Sequence, residues 1–203
     1  MKLYIKPGAC SLSPHIVLEE SGLDYETETV DLKTKRTTSG EDFNQINAKG
    51  YVPALLLDSG ALLTEGPAIV QYIADRVPAK KLAPANGTIE RYQLQAWLNF
   101  IATELHKSCS PFFNPASGDD LKKSAGANLE RRLAYVDEQL AGRSHLLGED
   151  FSVADAYLYT VLSWMPFIKI DLSKWARISA FVQRVSARPA VQALAQWLLA
   201  EAA

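Results

Sequence analysis

The chain reads VPALLLDSGALLTEG from Val52 to Gly66, two apolar runs separated by a turn signal. Short apolar runs on either side of Asp-Ser-Gly are typical of a β-hairpin. Pro53 cannot donate a hydrogen bond to a neighbouring strand, so it belongs at the start or the edge of the first strand. The Val52–Pro53 bond can be cis or trans, and an ordinary turn is the alternative to any special role.

The sequence before this hairpin predicts a β-α-β unit. An apolar strand is followed by a Pro-Gly turn, a helix with a glycine at its end, and a strand with a two-residue period. Residues 33–50 are polar and predict a loop with at most a short helix. The first strand is expected from Lys2 to Ile5 and the second from Tyr25 to Leu32. For the helix between them, Ser11 or Ser13 is the expected N-cap, Pro14 the first helical residue and Gly22 the residue at the end.

The sequence after the hairpin predicts one helix that starts near Pro67, a linker, and then helices alone. Residues 78–87 have the Pro and Gly content of a linker, so we expect one domain at 1–80 and an all-helical domain at 87–203. Ser152 and Asp155 have the spacing of a capping box at the start of the most apolar helix. The helices of the second domain are expected from Thr88 to about Ser108, with Pro111 and Pro115 in the turn beyond it, from Leu121 to Gly142, from Val153 to about Met165, and from Trp175 to Arg188, with a helical tail to Leu199.

Composition excludes several classes of function. The 203 residues are 48% hydrophobic and 22% charged, which predicts a folded globular protein. A net charge of −2 without a basic block argues against binding nucleic acid. Two cysteines, no apolar run of about 20 residues and no signal peptide predict a cytoplasmic protein without a membrane segment. No metal-binding motif is expected.

Cys10 lies where the first strand passes into the first helix. Free backbone N–H groups and the helix dipole favour a thiolate there, so we expect a reactive cysteine. Ser13 stands where a dithiol redox protein has its second cysteine, so the sequence predicts a mixed disulfide with a small thiol instead of an internal one. The alternative is a half-buried cysteine that packs as a small apolar residue.

Two short motifs together predict a receptor for a small zwitterionic peptide. The backbone of Val52 can pair with an extended ligand if its N–H and C=O point outward. In Thr64-Glu65-Gly66, free N–H groups at a helix start can bind a carboxylate, and Glu65 can bind an ammonium group. The alternative is that Glu65 only stabilises its own helix.

The order of these features along the chain resembles the glutathione transferases. The runs PGACSLSPH at 7–15 and WLNFIATELHK at 97–107 are similar to the bacterial beta class. The resemblance covers nearly the whole chain. It implies an α/β thioredoxin-like N-terminal domain followed by an all-α helical-bundle domain, assembled as a homodimer that uses glutathione as co-substrate and needs no cofactor.

The resemblance also implies roles for individual residues. Val52 would pair with the cysteinyl part of glutathione, Glu65 and the Gly66 N–H would bind the γ-glutamyl group, and Lys35 would face the glycyl carboxylate. Cys10 would lie near the glutathione sulfur. Further contacts, some of them from the partner subunit, are implied for Asn99, Thr103, Glu104, Leu105 and His106.

One residue departs from the family pattern. Many relatives have tyrosine where this chain has Ile5, and Tyr4 must point to the opposite face of its strand. We therefore expect Ser11 or His106, rather than a tyrosine, to hydrogen bond the glutathione thiolate. The alternative for His106 is an ordinary side chain near a helix end.

The predicted reaction is transfer of the glutathione sulfur to a hydrophobic electrophile, combined with thiol–disulfide exchange at Cys10. Two alternatives remain: a binding or regulatory module with this fold and no catalysis, and a glutathione-dependent reductive dehalogenase. Candidate residues for contacting the electrophile are Phe112, Phe113, Trp164 and Phe167.

Overall fold

The structure is a computed structural model that describes residues 1–201, with side chains up to residue 196. The chain forms two compact units. The first comprises Met1–Ala83 with the C-terminal segment that begins at Arg188, and the second comprises Pro84–Ala187. Within the described range no helix has the length and apolarity needed to cross a membrane.

The strands are β1 (Lys2–Ile5), β2 (Glu26–Asp31), β3 (Arg36–Thr37), β4 (Ala54–Leu56) and β5 (Leu62–Thr64). The helices are α1 (Leu12–Ser21), α2 (Phe43–Ile46), α3 (Gly66–Arg76), α4 (Ile89–Phe100), α5 (Lys107–Phe113), α6 (Asp119–Gln139), α7 (Val153–Leu162), α8 (Ala176–Ser186) and α9 (Pro189–Glu201).

The first unit is built on one five-stranded sheet with the order β3-β2-β1-β4-β5. β1 and β2 are parallel, and the other neighbouring pairs are antiparallel. β4 and β5 form the predicted hairpin, with Ala54 opposite Thr64. The predicted thioredoxin-like fold of this half is confirmed. Strand β3 was not predicted, because two polar residues carry no periodicity and become a strand only by pairing with β2.

Helix α1 ends as predicted and begins differently. Gly22 has φ 69°, and its N–H donates to the Leu18 carbonyl at 3.2 Å, which is a left-handed C-cap. Ser11 precedes the helix but makes no capping hydrogen bond, and Ser13 lies inside the helix. Ser11 therefore holds the predicted N-cap position, but its side chain bonds to Lys6 and does not cap the helix. The helix begins at Leu12, so Pro14 is its third residue and not the predicted first.

A small apolar cluster on the sheet contains Tyr4, Val30, Phe43, Val52 and Ala54. The rings of Tyr4 and Phe43 lie 5.5 Å apart between centroids. Tyr4 is therefore a core residue that packs against Phe43 of α2, as expected because successive side chains of a strand point to opposite faces.

The second unit is helical, as predicted, but its first long helix differs. After α4 the chain forms a π-helical segment, Ile101–His106, and continues directly into α5. Pro111 was predicted in a turn and instead lies inside α5. Proline lacks the N–H for one helical hydrogen bond and its ring crowds the carbonyl four residues back, but Pro111 lies in the last turn of α5, which ends at Phe113.

Two aspartates fix the starts of the last helices of this unit. Asp155 accepts hydrogen bonds from the Ser152 N–H at 2.8 Å and the Ser152 hydroxyl at 2.7 Å, which confirms the predicted pairing of these residues. Asp137 of α6 accepts the N–H groups of Arg177 and Ile178 at 2.9 and 3.0 Å and so caps α8 from a neighbouring helix. The local sequence of α8 does not reveal that cap.

Candidate active site

The first unit brings Cys10 and Val52 together. The Val52–Pro53 peptide bond is cis, and it precedes β4 directly. The Cys10 thiol donates a hydrogen bond to the Val52 carbonyl oxygen at 3.3 Å. The predicted reactive thiol and the predicted peptide-binding backbone are therefore neighbours, although 42 residues separate them in sequence.

The surroundings of Cys10 favour the thiol over the thiolate in the free protein. Burial raises the pKa of Cys10 to about 11, and the nearby Glu65 carboxylate adds to the effect. The backbone N–H groups of Cys10 and Ser11 act in the opposite direction but are outweighed. Desolvation of the charged sulfur outweighs the helix start, so the pKa shifts in the direction opposite to the one expected from the sequence.

Ser11 is buried and fully engaged with Lys6. Its hydroxyl donates to the Lys6 carbonyl at 3.1 Å and accepts the Lys6 N–H at 3.0 Å. A hydroxyl has one proton. To donate a hydrogen bond to a bound thiolate, the Ser11 hydroxyl would have to give up its hydrogen bond to the Lys6 carbonyl.

Glu65 occupies the turn between β5 and α3 in a conformation that residues other than glycine rarely adopt, with φ 70° and ψ 114°. Its Oε1 accepts hydrogen bonds from Lys49 Nζ at 2.5 Å and from the Tyr51 hydroxyl at 2.8 Å. These two hydrogen bonds hold the pKa of Glu65 below its usual value, and the one from Lys49 has the larger effect. The carboxylate is therefore charged and already has a cation beside it.

Gly66 is the first residue of α3, and Pro67 follows it. The first N–H groups of a helix have no acceptor within the helix, so this backbone can bind an anion. A side-chain Cβ at Gly66 would lie 3.9 Å from Pro53 Cγ, which is ordinary contact. The helix start and the cis-proline turn are thus adjacent.

Lys35 lies in the loop after β2 with φ 59°. Its Nζ donates to the Gly50 carbonyl at 2.7 Å, so the cation is held beside the loop that contains Lys49. Lys35 belongs to the same unit as Val52 and Glu65.

The other predicted contacts lie in the second unit, at the end of α4 and in the π-helical segment. Asn99 and Thr103 are exposed, and the Thr103 hydroxyl donates to the Asn99 carbonyl at 3.0 Å. Glu104 forms an ion pair with Arg132 at 2.7 Å. Leu105 has no accessible surface, so its side chain packs in the core and only its backbone can serve a ligand.

His106 ends the π-helical segment, a geometry often found at functional sites. Its Nδ1 lies 2.7 Å from the Tyr157 hydroxyl, and its ring lies 4.8 Å from that of Trp164. Burial, together with the Lys107 charge, lowers the pKa of His106 to about 4. The imidazole is therefore neutral at pH 7, and Tyr157 constrains which nitrogen carries the proton.

The candidate aromatic residues differ in exposure. Phe113 and Phe167 are 53% and 79% exposed, whereas Trp164 is buried. The rings of Phe113 and Trp164 lie 6.0 Å apart at nearly a right angle. Phe112 is partly buried, and its ring atom Cζ lies 3.6 Å from the position that a Cβ on Gly126 would occupy.

Sequence reasoning missed Lys49, Tyr51 and Tyr157. No motif marks them, since each reaches its partner through a loop or a neighbouring helix. Among the described residues, no group of three or more His, Cys, Asp or Glu side chains has a geometry that could hold a metal ion.

Comparison with known proteins matches the two halves of the chain separately. Residues 1–75 match the model of the glutathione S-transferase N-terminal domain, and residues 100–189 match that of the C-terminal domain. The chain is 50% identical to glutathione S-transferase GstA of Escherichia coli O157:H7 over 192 residues, which are 95% of this chain and 96% of that protein.

Two solved structures are closely similar. A sphingomonad glutathione S-transferase complexed with glutathione has 48% identity and a TM-score of 0.95, and 98% of each chain is covered. The bacterial beta class glutathione S-transferase of Sphingomonas chungbukensis has 44% identity and a TM-score of 0.94, again with 98% of each chain covered. The chain therefore belongs to the glutathione S-transferase family, and its predicted resemblance to the bacterial beta class is confirmed.

Proposed function

We propose that this enzyme binds glutathione as an extended peptide on its first unit and transfers the glutathione sulfur to hydrophobic electrophiles. The observation that carries the proposal is the contact between Cys10 and the Val52 carbonyl beside a cis-proline, on the same unit as Glu65 and the start of α3. The similar sphingomonad protein, solved with glutathione, supports it. We also propose a homodimer, as the family resemblance implies.

Each proposed contact uses a group of matching chemistry. The Val52 backbone pairs with the cysteinyl residue of the ligand, the Glu65 carboxylate binds its ammonium group, and the Gly66 N–H binds its α-carboxylate. Lys35 binds the glycyl carboxylate. The family resemblance implies further contacts from Asn99, Thr103, Glu104, Leu105 and His106, some of them from the partner subunit.

The chemical step requires the glutathione thiolate. A cysteine thiol of ordinary pKa, about 8.5, is mostly protonated at neutral pH, so a nearby hydrogen-bond donor or base accelerates the reaction. We propose His106 as a hydrogen-bond donor to that thiolate, because its ring is neutral at pH 7 and still carries one N–H. Phe113 and Phe167 offer exposed apolar surface for the electrophile.

Cys10 adds a second proposed reaction, thiol–disulfide exchange. The Cys10 thiol loses its proton, and its sulfur attacks one sulfur of glutathione disulfide. A Cys10–glutathione disulfide forms, and the other glutathione leaves as a thiolate that takes up a proton. Because the pKa of Cys10 is raised to about 11, the rate of adduct formation should rise roughly tenfold per pH unit between about pH 7 and 10.

The Cys10→Ala variant separates the two reactions. We expect it to retain conjugation of a chromogenic aryl halide with glutathione, within about threefold of wild type, because the attacking sulfur belongs to the ligand. It should lose glutathione-dependent disulfide reduction. Intact-mass analysis after treatment with glutathione disulfide should show one adduct on the wild-type chain and none on the variant.

The second cysteine is an internal control for this experiment. Cys109 is fully buried and donates to the Leu105 carbonyl, so it should not react. An adduct that persists in Cys10→Ala would contradict the role of Cys10 in exchange. Loss of conjugation together with exchange would instead make Cys10 necessary for both reactions.

A further inference from the structure

The Glu65 carboxylate is already bound by a cation in the free protein. Lys49 Nζ lies 2.5 Å from Glu65 Oε1 and 3.0 Å from the Thr64 hydroxyl oxygen. The Tyr51 hydroxyl donates to the same Oε1 at 2.8 Å. A carboxylate oxygen has two lone pairs, so these two donors satisfy Oε1.

The backbone holds the partners in place. The Asn47 side chain donates to the Tyr51 carbonyl at 2.8 Å and accepts the Lys49 N–H at 3.2 Å, which braces the loop on both sides of Gly50. Gly50 has φ 67°, a conformation that favours glycine. Glu65 itself has positive φ, so its carboxylate is directed by a backbone conformation that only its surroundings sustain.

Lys49 and Glu65 each stabilise the charged form of the other. The hydrogen bond to Glu65 raises the pKa of Lys49, and the hydrogen bonds from Lys49 and Tyr51 lower the pKa of Glu65. Both groups are therefore charged at neutral pH. An ammonium–carboxylate contact of this kind has the same chemistry as the one a γ-glutamyl ammonium would make.

We propose that Lys49 competes with the ammonium group of glutathione for the Glu65 carboxylate and thereby limits the affinity and the selectivity of the amino-group subsite. This inference rests on the glutathione site proposed above. A ligand ammonium that binds Oε1 must displace Lys49, and one that binds the other oxygen lies near a like charge. Lys49 opposes binding of the ligand ammonium in both arrangements.

Displacement is easy because the pair is exposed. The side chains of Lys49 and Glu65 are 46% and 53% exposed, and ion pairs of this kind contribute little to stability. A ligand without an ammonium group leaves Lys49 in place and leaves Glu65 paired. Lys49 therefore reduces the discrimination of the protein against such ligands.

The test measures Kd by calorimetry at low salt for wild type and for Lys49→Met, which keeps an unbranched side chain one atom shorter and removes its charge. The ligands are glutathione and glutaryl-Cys-Gly, which has a hydrogen atom in place of the α-ammonium group. Lys80→Met removes the same charge beyond the far end of α3 and is the matched control.

We expect Lys49→Met to bind glutathione roughly two- to fivefold more tightly than wild type, and glutaryl-Cys-Gly no more tightly. Lys80→Met should match wild type for both ligands. Unchanged or weaker glutathione binding by Lys49→Met would overturn the competition alone, as would an equal gain for both ligands or an equal gain in Lys80→Met. Absence of glutathione binding to wild type would overturn the proposed function as well.

Discussion

Cys10 and Glu65 are neighbours with opposite electrostatic surroundings. Burial keeps the Cys10 thiol protonated, whereas Lys49 and Tyr51 keep Glu65 ionised. The identity of both residues as site candidates could be predicted from sequence, because each stands where a strand passes into a helix. The protonation of Cys10 could not be predicted, since it depends on desolvation, and neither could the partners of Glu65, which come from a distant loop.

Tyr157 is expected to fix the tautomer of His106. The phenol is the better donor, so we expect it to donate to Nδ1 and leave the proton of the neutral ring on Nε2. In Tyr157→Phe the ring should populate both tautomers, and kcat/KM for conjugation should fall about three- to thirtyfold with a small change in KM for glutathione. Nitrogen-15 shifts of His106 at pH 7 report the tautomer directly.

Tyr159→Phe is the matched control, since its side chain faces away from that of Tyr157 on α7. It should leave the His106 shifts and kcat/KM near wild-type values. A wild-type ring protonated on Nδ1, or identical shifts in Tyr157→Phe, would contradict the proposed positioning role.

The helices, strands and caps that could be predicted from sequence are those that local residue patterns determine. The hairpin at 52–66 and the pairing of Ser152 with Asp155 depend on neighbouring residues, and both are present. Strand β3, the cap that Asp137 provides for α8 and the π-helical segment depend on partners elsewhere in the fold. Pro111 was misplaced because proline restricts a helix without always ending it.

Asp155 is expected to contribute strongly to stability. It has no accessible surface and accepts hydrogen bonds from the Leu146 N–H and from both donors of Ser152. Asp155→Ala leaves these buried donors unpaired, so the free energy of unfolding in urea should fall by about 2–4 kcal/mol.

The exposed Asp150 provides the comparison for this helix start. Asp150→Ala should change the free energy of unfolding by less than about 0.5 kcal/mol. Equal effects of the two substitutions would show that the buried hydrogen bonds of Asp155 do not stabilise the start of α7.

At the scale of the whole molecule, the family resemblance covers both halves, but one helix packs differently from the sequence-based division. The sequence predicts one helical domain at 87–203, whereas in the structure α9 packs against α1 of the first unit. Arg188 forms a two-point ion pair with Glu20 of α1, at 2.6 and 2.9 Å. Local periodicity predicted that helix and could not predict its partner.

Binding of glutathione to the first unit through Glu65 can be measured by calorimetric titration. Glutathione should give saturable heat with one site per chain and a Kd below about 1 mM, and Glu65→Gln should weaken binding by about tenfold or more because a charged hydrogen bond is lost. No saturable heat at about 10 mM glutathione, or equal affinity in Glu65→Gln, would contradict the account.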